Sequence, residues 1–221
     1  GVFRRSEQVL LTNMTIEDCG VGIMTSTVSG LTISRPTVRG SSSDGIRVTG
    51  GDWVQVNWGD ISRSGGSGIR VDGSGSGRIE ANAVRGSRGA GIELNGGSDH
   101  IVRANELRGN GMGIHASDTV RSVFEFNDVA GLGFALSLLG RGGDNRVERN
   151  RLLSGGSIHV STAQLCTLAS DFNVVSDSFR VDDLDLTFAE WRALGLDLNS
   201  MLGRGRLTEN SMSLSISRGA S

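Results

Sequence analysis

Along most of this chain an apolar residue, a polar residue and a second apolar residue follow in order, then a polar turn, and the figure restarts about 22 residues later. The openers are Ile23, Ile46, Ile69, Ile92, Ile114, Leu136, Ile158 and Phe179, at spacings of 23, 23, 23, 22, 22, 22 and 21. Alternation with a period of two marks a short strand that turns one face to a core. The inward pairs read Ile23/Thr25, Ile46/Val48, Ile69/Val71, Ile92/Leu94, Ile114/Ala116, Leu136/Leu138, Ile158/Val160 and Phe179/Val181, and only Thr25 is not apolar. So regular a repeat predicts a solenoid, in which each unit buries its apolar face by stacking on its neighbours.

The segment from Ile92 to Gly113 shows one unit in full. Ile92 to Asn95 alternates, Gly96-Gly97-Ser98-Asp99 turns, Ile101 to Ala104 forms a second strand, and Asn105 turns again. Leu107 starts a third strand, and Gly109-Asn110-Gly111 closes the loop. Three short strands per repeat make one triangular turn of a parallel β-helix. Alternation places Leu31/Ile33, Val54/Val56, Ile79/Ala81, Val102/Ala104 and Phe124/Phe126 inward on the second strand. After that strand comes a marker at the same pitch: Asn13, Ser34, Asn57, Asn82, Asn105, Asn127, Asn150 and Asn173. A buried amide at such a bend can both donate and accept along the stack.

This arrangement resembles the internal asparagine ladder of right-handed parallel β-helix proteins, the pectin-lyase-like superfamily, over roughly residues 6–182. The resemblance implies an all-β, right-handed parallel β-helix solenoid of about eight coils of 21–25 residues. It also implies a secreted or cell-envelope protein. It leaves the activity open, because the superfamily includes lyases, hydrolases, epimerases, adhesins and phage tail fibres.

An open β-helix end is a set of unpaired strand edges and needs a cover. Thr187-Phe188-Ala189-Glu190 fits a capping box, and Phe188, Trp191 and Leu194 follow at helical spacing before Gly195. A short helix is therefore expected over residues 187–194, with Trp191 against the last coil. The chain divides into β-helix coils (1–186), capping helix and turn (187–200) and a C-terminal tail (201–221) in which the pattern is lost. Gly1-Val2-Phe3-Arg4 already reads as part of a strand, so coils or a leader are expected upstream, and a bare first coil would favour end-to-end self-association.

Composition narrows the chemistry. The 34 glycines fall at fixed repeat positions, which is turn chemistry and not low complexity. A formal charge of −2 gives no basic field for nucleic acid, and there is no apolar run long enough for a membrane span. Every basic residue among the 22 is arginine and tyrosine is absent, so any base must be another residue type. Cys19 and Cys166 would lie some six coils, or about 30 Å, apart, too far for a disulfide.

Outward residues of the first strand form a stripe: Met24, Arg47, Arg70, Glu93, His115, Ser137, His159, Arg180. Two residues on runs a parallel stripe: Ser26, Thr49, Asp72, Asn95, Ser117, Leu139, Ser161, Asp182. Stripe neighbours stand about 4.8 Å apart, which makes Arg70, Glu93 and His115 adjacent, with Asp72 and Asn95 beside them. Such a group suits an acidic polysaccharide. Arg47 and Arg70 would clamp a uronate carboxylate, His115 would move the neighbouring proton, and Glu93 would orient the imidazole. Asp72, Asn95 and His159 extend the surface as substrate contacts. The resemblance favours a lyase or epimerase, since enzymes of this fold place arginine and histidine on this face. The chain nevertheless lacks an Asp-Pro-His epimerase signature and the paired-aspartate plus Gly-His-Gly set of the hydrolases.

Charged outward positions on a solenoid also arise simply because they are wet, as Glu80, Arg103, Glu125 and Glu148 do on the second strand. A noncatalytic structural or adhesive rod, or a fragment of a larger carbohydrate-active enzyme, is the rival reading. No cofactor is implied. Calcium held by Asp72, Glu93, Asn95 and Asp118 is the one metal the donors suggest, although Asp118 also fits a turn role. Trp53, in a turn, would either stack on a sugar ring or pack against adjoining loops.

Overall fold

Because every repeat carries its apolar residues in the same phase, stacking one coil on the next lines like residues up. The computed structural model, which describes residues 8–203, has that architecture. Three parallel sheets run the length of a β-helix of about eight coils. The first sheet holds nine strands, from Ile23–Ser26 through Ala90–Asn95 and Met112–Ser117 to Phe179–Val181, with the hairpin strand Leu184–Leu186 at its edge. A second sheet of eight strands runs from Val9–Thr12 to Ala169–Asp171, and a third of nine from Thr15–Glu17 to Met201–Leu202. The eight openers pair in unbroken register from Ile23 to Phe179. They line one continuous core with Ile33, Val56, Ile79, Val102, Phe124 and Val147 of the second sheet and Val38, Ile61, Val84, Leu107 and Val129 of the third.

Alternation along the second strand breaks at the residue that directly follows it. Arg35, Trp58, Ala81, Ala104, Phe126, Arg149 and Phe172 all have φ between 51° and 57°. A left-handed residue turns the chain through the corner and swings its side chain out of the sheet's alternation. Ala81, Ala104 and Phe126 are therefore not core residues; Phe126 is 46% exposed and lies between the guanidinium groups of Arg103 and Arg149. The inward register at this corner ends with Ile79, Val102 and Phe124.

The same corner shortens the asparagine ladder. Asn82, Asn105, Asn127, Asn150 and Asn173 follow the left-handed residue directly, and each Oδ1 accepts the backbone N–H of the rung before it. Asn57 and Ser34 lie two residues earlier, inside second-sheet strands, and Asn13 itself has φ 52°. None of the three is a rung. Gly59 takes that place instead, donating its N–H to Asn82 Oδ1 at 2.8 Å. A Cβ on Gly59 would stand 2.7 Å from Ile61 Cδ1, so a larger side chain here would need its neighbours to shift.

Two short helices interrupt the coils. Ser161 leaves the outward stripe to cap helix α1, Thr162–Leu165, and its side chain accepts from Gln164 N. Helix α2, Phe188–Ala193, carries the expected capping box between Thr187 and Glu190. Its Trp191 is fully buried, stacked on Phe179 of the last coil at 4.9 Å, and donates to Asp197 at 2.7 Å. Asp197, also fully buried, closes the ladder by accepting from Asn173, Ser170 and Ser200. Met201–Leu202 adds one strand beside Val174–Val175. Gly1 to Arg4 and most of the tail, 204–221, lie outside the described residues. Cys19 and Cys166 are free thiols, and among the described residues no helix is long and apolar enough to cross a membrane.

Candidate functional site

The outward stripe of the first sheet forms as the repeat requires: Arg47 pairs with Arg70, Arg70 with Glu93, Glu93 with His115, His115 with Ser137, and Ser137 with His159. The parallel register holds these side chains at one rung each, so which of them are neighbours in the row follows from register. Arg70 Nε donates to both oxygens of Asp72 at 3.0 Å, and Nη1 lies 3.3 Å from Glu93 Oε1. Asn95 donates to Asp72 at 2.7 Å and to Glu93 at 3.0 Å. Arg70, Asp72, Glu93 and Asn95 thus make one closed network. Its bond to Asp72 holds Arg70 more firmly protonated than an ordinary guanidinium, against some desolvation.

Burial works to raise the Glu93 carboxyl, but bonds from Ser67 and Asn95 and the charge of Arg70 outweigh it and hold the group below the usual range. Glu93 is therefore an anion at neutral pH. His115, the next rung, is pushed below the ordinary 6.5 chiefly by burial, with Glu93 pulling the other way. Its Nδ1 is buried with no hydrogen-bond partner. The pair is a neutral imidazole beside a fixed negative charge.

Arg47 does not join the clamp. It turns back to Asp44, with Nε 2.7 Å from an Asp44 oxygen, and Asp44 also accepts the Ser67 N–H at 2.8 Å. Asp44 and Ser67 are site residues that strand alternation does not reveal, since both sit in the turn two residues before a strand opener. Their shared signal is position: each precedes its opener, Ile46 or Ile69, by the same step, and Ser67 Oγ reaches Glu93 at 2.6 Å. His159 lies two rungs beyond His115, bonded through Nε2 to Asp182 O at 3.0 Å and packed on the Phe134 ring at 5.1 Å. Ser137, between the two histidines, is buried and its Oγ has no partner.

Asp118 stays apart from Asp72, Glu93 and Asn95: it has φ 55° in a turn and accepts from Arg141 N. Among the described residues no three His, Cys, Asp or Glu side chains converge as metal ligands. Trp53 projects into solvent, 69% exposed, and is not packed against adjoining loops.

Comparison with solved structures returns β-helices. The catalytic domain of Agl-KA is 17% identical with a TM-score of 0.51, over 80% of this chain and 37% of that one. DFA-IIIase from Arthrobacter chlorophenolicus A6 is 16% identical with a TM-score of 0.49, over 91% of this chain and 67% of its own. The same enzyme has also been solved in complex with GF2, at 14% identity, a TM-score of 0.49 and coverage of 92% and 66%. The chain thus spans little more than a third of the Agl-KA catalytic domain, and likeness at these identities is a likeness of fold. No curated protein sequence matches it. The family described as "Right handed beta helix region" matches residues 44–182, more than half the chain and the coils that carry the whole stripe from Arg47 to Arg180. The chain belongs to the right-handed β-helix family.

Proposed function

We propose that the first-sheet face binds an acidic polysaccharide along the helix axis and that His115 removes the proton beside a uronate carboxylate, as a lyase or epimerase would. The observation that carries this reading is the neutral His115 one rung from the Glu93 anion and two from Arg70. Burial lowers the proton affinity of this imidazole, which leaves it uncharged and able to accept a proton at neutral pH. Among the described residues Arg70 Nη2 has no protein partner, which leaves one guanidinium edge for the uronate carboxylate, where it would offset charge building up on the carbanion. In elimination the C5 proton passes to His115, the C–H electrons form the C4–C5 double bond, and the C4 glycosidic oxygen leaves with a proton from solvent.

Incubation with alginate, pectate and glycosaminoglycans tests the proposal directly. An unsaturated product absorbing in the ultraviolet, or epimerised uronates by NMR, is expected from one of them, and His115→Ala should abolish it. If no uronate polymer is altered, the catalytic form is wrong.

A noncatalytic binding face is the second reading. It is favoured by the saturation of Glu93, whose oxygens already meet Ser67, Asn95 and Arg70, and by the pairing of Arg47 with Asp44. Saturable binding of the same polymers without turnover would select it.

A further inference from the structure

The outward stripe ends at Arg180, where the chain reverses into the Leu184–Leu186 hairpin and then into α2. Between that cap and three successive coils lies an open cavity of about 520 Å³, within the range of small-ligand sites. Leu132 and Phe134 form its apolar side, and Asp177, Arg180, Asp185 and Glu190 its polar one. Gly156 makes the apolar side possible, because a Cβ there would stand 2.3 Å from the Phe134 ring.

The polar side has acceptors to spare. Asp185 gives Oδ1 to Arg180 Nε at 2.7 Å, Asp177 gives Oδ1 to Phe188 N at 2.6 Å, and Glu190 gives Oε2 to Thr187 N and Oγ1 at 2.8 Å. The second oxygen of each carboxylate has no hydrogen-bond partner among the described residues. Three carboxylates face one guanidinium, which is already held by Asp185 and lies over the Phe134 ring at 5.3 Å. The bond from Arg180 and the backbone N–H of Thr187 keep Asp185 and Glu190 ionised.

We infer that this cavity is a second carbohydrate subsite that takes an uncharged sugar residue and excludes a uronate. A sugar ring presents C–H groups that pack on Leu132 and on the part of the Phe134 ring that Arg180 and His159 leave open, and hydroxyls that can replace water as donors to the open carboxylate oxygens. A uronate brings a further anion with no proton to give, into a cavity already carrying surplus negative charge. Phe134 lies on the same strand as Ser137, one rung past His115. A polymer on the first sheet would therefore reach the cavity within a few sugar units of the base. Resting on the uronate reading, the inference narrows its substrate to a heteropolysaccharide in which uronates alternate with uncharged sugars.

Calorimetric titration separates the two. Neutral cello-, xylo-, manno- and malto-oligosaccharides are the probes for the cavity, and polygalacturonate, alginate and hyaluronate for the stripe. At least one neutral series should bind saturably, weaken about tenfold in Phe134→Ala and in the solvent-exposed Leu132→Ala, and be unaffected by Arg70→Ala. Should no neutral series bind, or should binding ignore both cavity variants, the subsite is refuted whatever the polyuronates do. Neutral binding without binding of polygalacturonate, alginate or an alternating glycosaminoglycan such as hyaluronate would keep the subsite and remove the uronate reading alone.

Discussion

At the scale of single residues, two imidazoles are tuned in the same direction for different ends. His115 is outward, and its lowered proton affinity leaves it uncharged at neutral pH. His100 sits inside a corner column with Ser122 and Asn145, where its Nδ1 accepts the Gly77 N–H at 3.1 Å and its Nε2 stands 3.2 Å from Gly96 O. That pair of contacts fixes the Nε2–H tautomer. Burial lowers its proton affinity, opposed by the Gly96 carbonyl and by Asp99. Protonation would set N–H against N–H at Gly77 and leave a buried donor unmet, at about 1–3 kcal/mol. The folded state thus binds the proton less well than the unfolded chain. The stability from His100 is complete above the ordinary value of 6.5, declines as pH falls below it, and levels off below the lowered folded value. Thermal unfolding at pH 7 and pH 5 should show a loss that shrinks in His100→Asn, because Asn145 already fills the equivalent place two rungs along the same column by accepting Ser122 N. An equal loss in the variant would clear His100 of the effect. The proposed role of His115 as base gives the kinetic counterpart, an acid limb of uronate turnover lying below the ordinary histidine value.

At the scale of the structural element, the ladder is the sharpest test of what holds a coil. Asn127 accepts from the N–H and the side chain of Asn105 and donates to Val102 O and Asn150 Oδ1. Asn127→Ala leaves at least one buried donor and one buried carbonyl unmet, a cost of about 2–5 kcal/mol. Asn57→Ala, off the ladder and with a buried Oδ1 that already lacks a partner, should cost under about 1 kcal/mol. Urea midpoints of the two variants check the contrast, and comparable losses would restore Asn57 to the ladder. The strands were legible because alternation and repeat length agree at every opener. The corner was not, because a left-handed residue such as Ala104 or Phe126 breaks alternation without a glycine to announce it. Asn57 then passes for a rung, although Gly59, two residues on, makes the ladder bond. At the site, Arg70, Glu93 and His115 were readable as one row since register alone brings them together. The turning of Arg47 toward Asp44 was not, because it depends on side-chain direction in a turn and not on which residues share a column.

At the scale of the whole molecule, a solenoid is only as strong as its last interface. Each coil contacts its two neighbours, so stability is close to a sum of nearest-neighbour terms, and an end coil holds on one side only. Here the C-terminal end is covered by Trp191, stacked on Phe179 and hydrogen-bonded to Asp197, which also ends the asparagine ladder. Trp191→Ala removes the ring from that stack and one of the donors to a buried carboxylate, together about 3–5 kcal/mol. The loss falls on the terminal coils, so melting should begin there, some 10 °C earlier by the usual scaling for a chain of this size. Hydrogen exchange should quicken first in Phe179–Val181 and Ala169–Asp171, while Ile46–Thr49 stays protected. An uncovered coil also presents unpaired strand edges and the apolar face of Phe179, and light scattering should then report association that grows with concentration. Uniform exchange along the whole helix, with a monomer at every concentration, would mean that the cap adds bulk but does not seal the core.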